Sequence, residues 1–75
     1  MSFKIITNKQ KDKKIAININ AIQFVENCSD GKTTYVTFVG DDGLYTDIEV
    51  DGDLRSFTEF LNSDEIEYKA KTENI

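Results

Sequence analysis

The stretch DDGLYTDIEVDGD, residues 41–53, holds six carboxylates (Asp41, Asp42, Asp47, Glu49, Asp51 and Asp53) and no cation. Carboxylates at this density can hold a hard cation, exchange protons with a substrate, or pair with a basic surface. For a cation, Asp47, Glu49, Asp51, Gly52 and Asp53 approach the spacing of a calcium loop. That loop needs several oxygen ligands, a sharp glycine turn and a bidentate carboxylate at its twelfth position. Here the twelfth position is Thr58, the third is a glutamate, and the preceding segment alternates like a strand. The spacing predicts a strand face running into a helix cap, and no metal site.

Proton transfer and nucleophilic catalysis fare no better. The chain has no histidine, which removes the commonest general base at neutral pH. Cys28 stands between Glu26 and Asp30 in sequence, and negative charge nearby disfavours the thiolate. No catalytic residue and no cofactor are expected, and the protein is read as a non-enzyme. Pairing with a basic protein surface remains, with Asp41, Asp42, Tyr45, Asp47, Glu49 and Asp51 as the partner-binding set. A surface of this sign repels nucleic acid.

The cations are segregated. Residues 1–14 hold five lysines against Asp12, whereas residues 15–68 hold twelve acids against Lys32 and Arg55. The cluster reads as a solvated hairpin loop that discourages edge-to-edge strand pairing. An alternative function uses it: Lys9, Lys11 and Lys13, with Tyr35 and Tyr45, would hold a nucleotide-like phosphate ligand between the subunits of a homo-oligomer.

Seventy-five residues allow one domain, spanning 1–75, and a chain so short buries only about 60 % of its unfolded surface. One cysteine rules out an intrachain disulfide and suits a reducing compartment. The N-terminal segment MSFKIITNKQKDKK lacks the apolar stretch of a signal peptide, and there is no apolar run of membrane-spanning length. A cytoplasmic protein with no membrane contact is expected.

The elements that would position these residues follow from periodicity. FKIIT (3–7) and KIAINI (14–19) read as strands, the second with Ile15, Ile17 and Ile19 inward. The phase then changes, since Ile22 and Phe24 fall on the other parity. Asn18 and Asn20 favour a tight or 3₁₀ turn there, and a bulged continuous strand is the alternative; the turn is preferred. IQFVEN begins a third strand with Ile22 and Phe24 inward. Asp30-Gly31 marks a hairpin, and TTYVTFV (33–39) and LYTDIEVD (44–51) alternate cleanly. In 53–62 the period becomes helical, with Leu54, Phe57, Phe60 and Leu61 on one face. EIEYKAK reads as a sixth strand, and residues 72–75 as a frayed end. The fold class is α+β, mostly β: a five- or six-stranded antiparallel curled sheet or small barrel with one short helix. Its expected core is Phe3, Ile5, Ile15, Ile17, Ile19, Ile22, Phe24, Val36, Phe38, Ile48, Val50, Leu54, Phe57 and Leu61.

The succession IAININAIQFVE, GKTTYVTFVG and DIEVDGDLRSFTEFL resembles the small β domains of the LytTR DNA-binding type and the short FlbD-type flagellar proteins. It is similar also to uncharacterised phage proteins. The resemblance implies a turn ending in Ile between the second and third strands, and a regulatory DNA-binding role as a third function. DNA binding in such domains implies basic loops, whereas the loops here read ENCSDGK and GDDG, so no functional residue is carried over. The leading expectation is a small, acidic, non-catalytic interaction protein. By analogy with phage and mobile-element inhibitors, it would occupy a basic surface of a host protein.

Overall fold

The structure is a computed structural model that describes residues 2–73. It contains two sheets, neither closed, and one α-helix. The three-stranded sheet has the order β2-β1-β6, with β1 at Phe3–Asn8, β2 at Lys13–Asn18 and β6 at Glu67–Ala70. The four-stranded sheet has the order β3-β4-β5-β7, with β3 at Ile22–Asn27, β4 at Thr33–Val39, β5 at Tyr45–Asp51 and β7 at Thr72–Glu73. The helix α1 is Leu54–Leu61. β1 and β6 run parallel, and every other described pair is antiparallel. The mostly β, one-helix class therefore holds. Among the described residues the strand count is seven instead of five or six, in two open sheets with one parallel pair instead of a single antiparallel curled sheet or small barrel, because the last strand breaks at Lys71 and serves both sheets.

The turn between β2 and β3 is a single 3₁₀ turn, Ile19–Ala21, capped by Asn18, whose side chain accepts from the Asn20 N–H at 3.0 Å. A bulge is present as well: the β3–β4 register shifts between Ile22 and Phe24. Turn and bulge were rival explanations of the phase change, and the chain uses both. After the bulge Val25 faces the core and Phe24 turns outward, 49 % exposed.

Phe3 is corrected likewise. β1 was expected to bury Phe3 and Ile5, but Phe3 is 51 % exposed, and Lys4, Ile6 and Asn8 point inward. The reason lies at the helix C-terminus. The last turn of any helix leaves carbonyls without intrahelical donors, and they carry the negative end of the dipole. Lys4 Nζ donates to Phe60 O at 2.6 Å and to Ser63 O at 2.8 Å, and lies 4.7 Å from the centroid of the Phe60 ring. A lysine thus occupies a core-facing position, and with it the phase of β1 is set. Lys4 is no member of the loop cluster.

The core comprises Ile6, Ile17, Val36, Ile48, Val50, Phe57, Phe60 and Ala70. Ile15, Ile19, Ile22, Val25, Phe38, Leu61 and Tyr68 are partly buried against it. Asp53 caps α1 by accepting from the Ser56 N–H at 2.8 Å, and Asn27 Oδ1 accepts from the Leu54 N–H at 2.9 Å. The Phe57 and Tyr68 rings pack in a T-shape, with centroids 5.3 Å apart. The expected frayed end spans residues 72–75. Thr72 and Glu73 instead form β7, with Thr72 2 % exposed; residues 74 and 75 lie outside the described residues.

Replacing Lys4 with methionine keeps the aliphatic bulk but removes the charged donor to the Phe60 and Ser63 carbonyls. Hydrogen bonds from a charged donor are worth about 1.5–3 kcal/mol, so Lys4→Met should destabilise the fold by about 2 kcal/mol. For a domain of this size that is a fall in Tm of about 10 °C, measurable by circular dichroism.

Candidate functional site: the outer face of the four-stranded sheet

Strand alternation decides which side chains share a face. In β4 and β5, Thr34, Val36 and Phe38 oppose Val50, Ile48 and Thr46, on the side that carries the core residues. The other side carries Thr33 opposite Asp51, Tyr35 opposite Glu49, Thr37 opposite Asp47 and Val39 opposite Tyr45. β3 adds Glu26 beside Tyr35 and Phe24 beside Thr37, and β7 adds Glu73 beside Glu49. One row therefore crosses all four strands as Glu26, Tyr35, Glu49, Glu73. A second row, Phe24, Thr37, Asp47, lies about 7 Å along the strands.

The predicted set is thus gathered in part. Tyr45, Asp47, Glu49 and Asp51 share this face. Asp47 and Asp51 are exposed, Glu49 is half-buried, and Tyr45 is 64 % exposed. Asp41 and Asp42 sit in the β4–β5 loop beyond Tyr45, where Asp42 accepts from the Leu44 N–H at 3.0 Å. Asp53, in the same acidic run, turns away to cap α1. The alternative set is divided: Lys9, Lys11 and Lys13 belong to the β1–β2 hairpin of the other sheet, while Tyr35 and Tyr45 lie on this face two rows apart.

Sequence reasoning missed Phe24, Glu26, Cys28 and Glu73 as members of the face. Glu26 was legible once Phe24 was allowed outward. Glu73 had no signal, because its strand is made by long-range pairing alone.

At the Cys28 end the face sinks into a groove of about 450 Å³, lined by Cys28, Tyr35, Glu49, Asp51, Lys71 and Glu73 among others. The adjoining hairpin is built by Asp30. Its Oδ1 accepts from the Lys32 N–H at 2.8 Å and the Thr33 N–H at 3.0 Å, and its Oδ2 accepts from the Thr33 hydroxyl at 3.0 Å. These donors hold the Asp30 carboxyl below its usual range. Gly31 has a φ of 70°, which the glycine adopts without strain. Cys28 Sγ donates to Glu49 Oε1 at 3.9 Å. Desolvation first, and then the charges of Glu49, Asp30 and Glu26, push the Cys28 thiol up. The Tyr35 hydroxyl is raised too, chiefly by its hydrogen bond to Glu49 and by that carboxylate's charge. Both shifts favour the protonated, hydrogen-bond-donating forms.

No helix of the described residues is long and apolar enough to cross a membrane. No protein-family model, no curated protein and no solved structure matches this chain.

A raised thiol pKa leaves little thiolate at neutral pH, and removing a neighbouring carboxylate charge lowers that pKa. Cys28 should alkylate with iodoacetamide more slowly than free cysteine at pH 7.5, and Glu49→Gln should speed the reaction and move its pH profile down. A profile unchanged by the substitution would show that the Glu49 charge does not reach the thiol.

Proposed function

We propose that this protein is a non-catalytic interaction module that occupies a basic surface of another protein with the outer face of its four-stranded sheet. One observation carries the reading. Glu26, Glu49 and Glu73 stand in a single cross-strand row with Tyr35 among them, and Asp47 and Asp51 lie on the rows either side. Like charges set directly opposite each other on a sheet destabilise it, and a cationic partner offsets that repulsion. Phe24, Val39 and Tyr45 give the same face an apolar end. An apolar or aromatic patch with a charged surround is the usual anatomy of a protein interface. The raised thiol and phenol support recognition over catalysis. An inhibitor of host machinery is the physiological role this would suit.

The test is native mass spectrometry of the protein purified gently from its natural host, beside a triple variant, Asp47→Lys, Glu49→Lys and Asp51→Lys. The expected result is a basic protein at fixed stoichiometry with the wild type and its loss with the variant, whose melting transition remains cooperative. Equal recovery on both would overturn the reading. An oligomer carrying a mass addition of a few hundred daltons would favour ligand sequestration instead.

A further inference from the structure

β3 ends the four-stranded sheet, and among the described residues no strand pairs with its far side. The direction of its backbone groups follows from one hydrogen bond. Cys28 N–H donates to Thr33 O at 2.8 Å, within the β3–β4 ladder register. Antiparallel pairs alternate between bonded and non-bonded, so Glu26 and Phe24 turn their backbone groups towards β4. Val25 and Asn27 turn theirs towards the open edge. The Asn27 side chain is engaged with the Leu54 N–H, which steadies that end of the strand.

Among the described residues the end strands are β2 and β6 in one sheet and β3 and β7 in the other, and β2 and β3 are guarded unequally. β2, one edge of the other sheet, carries Lys13 and Lys14, residues that blunt an edge against pairing. β3 carries no lysine, no arginine and no proline. It presents Phe24 and Glu26 to the outer face, two residues apart, at the end of the acidic rows.

Resting on the function proposed above, we infer that the basic partner docks by strand addition. An extended segment of the partner hydrogen-bonds along the free edge of β3. A strand in that position places one side chain beside Glu26, at the end of the Glu26–Tyr35–Glu49–Glu73 row, and another beside Phe24. Charge complementarity requires a lysine or arginine at the first position, and the exposed ring favours an apolar residue two positions away. A second copy of this chain paired through β3 supplies no cation for Glu26, so the occupant is a different protein carrying an apolar-x-basic strand.

The experiment uses the whole chain, isotope-labelled, and an octapeptide alternating threonine with leucine and lysine in turn. NMR hydrogen exchange is expected to show the Val25 and Asn27 amides protected by the peptide. Peptide affinity is expected to fall about tenfold in Glu26→Lys, a surface substitution whose fold is checked by its own spectrum. Methylating alternate peptide nitrogens on the bonding side should abolish binding. Shifts at Asp47, Glu49 and Asp51 with unchanged exchange at Val25 and Asn27 would overturn strand addition while leaving the acidic face as the docking site. Failure of the peptide to bind would also overturn strand addition, and the face would then be judged by the triple variant alone. Concentration-dependent dimerisation with protection at Val25 would assign the edge to a second copy and overturn the inference.

Discussion

The molecule depends on one strand that belongs to two sheets. Residues 67–70 lie parallel to β1, and two residues later the same chain lies antiparallel to β5. Without it, β1 and β2 form a two-stranded hairpin, which is marginal in water. The bend at Lys71 is fixed from both sides: Lys71 O accepts from the Asp51 N–H at 2.8 Å, and Ala70 O from the Lys9 N–H at 3.3 Å. Asn8, fully buried, ties its amide to Thr72 O at 3.1 Å and accepts from the Gln10 N–H at 3.0 Å. One side chain thus fixes the last strand and the β1–β2 turn. Tyr68 extends the constraint to α1 and reaches Asp51 O at 3.2 Å, beside Gly52, whose φ of 123° leaves no space for a Cβ against the phenol oxygen. The wall of the acidic groove formed by Lys71 and Glu73 exists because of this bend.

Two lysines of the segment 1–14 behave differently because their surroundings do. Lys4 is drawn into the interior, where helix carbonyls replace its hydration. Lys14 stays at the surface, 3.6 Å from Glu67 in a pair exposed enough to contribute little. The acids show the same division. Asp30 and Asp53 are consumed by turn and cap: the Lys32 N–H and the Thr33 side chain stabilise the charge of Asp30, and the Ser56 side chain and N–H that of Asp53. Asp47 accepts one bond from the Thr37 hydroxyl at 3.0 Å. Glu49 accepts from a weak thiol donor, that of Cys28. A carboxylate that accepts several local bonds within its own turn or cap has little left to offer a partner, whereas one held by a cross-strand side-chain donor can exchange it for a cation. That difference separates the acids of the turn and the cap from those of the sheet face more sharply than exposure does.

The parts legible in the sequence were those governed by local periodicity. β4, β5 and α1 follow from strict alternation and from the Leu54, Phe57, Leu61 spacing, and Asn18 announces the 3₁₀ turn. The phase of β1 was not legible, because FKIIT offers apolar residues on both parities. The choice is made by carbonyls some sixty residues away, which accept from Lys4. The orientation of Phe24 was not legible either, since a bulge in β3 exchanges the faces without leaving a glycine or proline to mark it. Parallel pairing of β1 with β6, and the switch at Lys71, are tertiary events with no local signal. The errors lay in which face a residue takes, which is the property on which a binding surface depends.

The bulge therefore has a chemical consequence beyond topology. Had β3 continued in the parity of Ile22, Phe24 and Glu26 would have pointed into a core that already contains Val36, Ile48 and Phe57. Burial of an unpaired carboxylate there would cost several kcal/mol. With the shift between Ile22 and Phe24, the core receives Val25, and the outer face receives an aromatic ring and a carboxylate at the strand edge. One irregular residue spacing thus reconciles the packing demand of the interior with the assembly of the acidic row. The edge strand is left with its polar face matched to its neighbours and its backbone open.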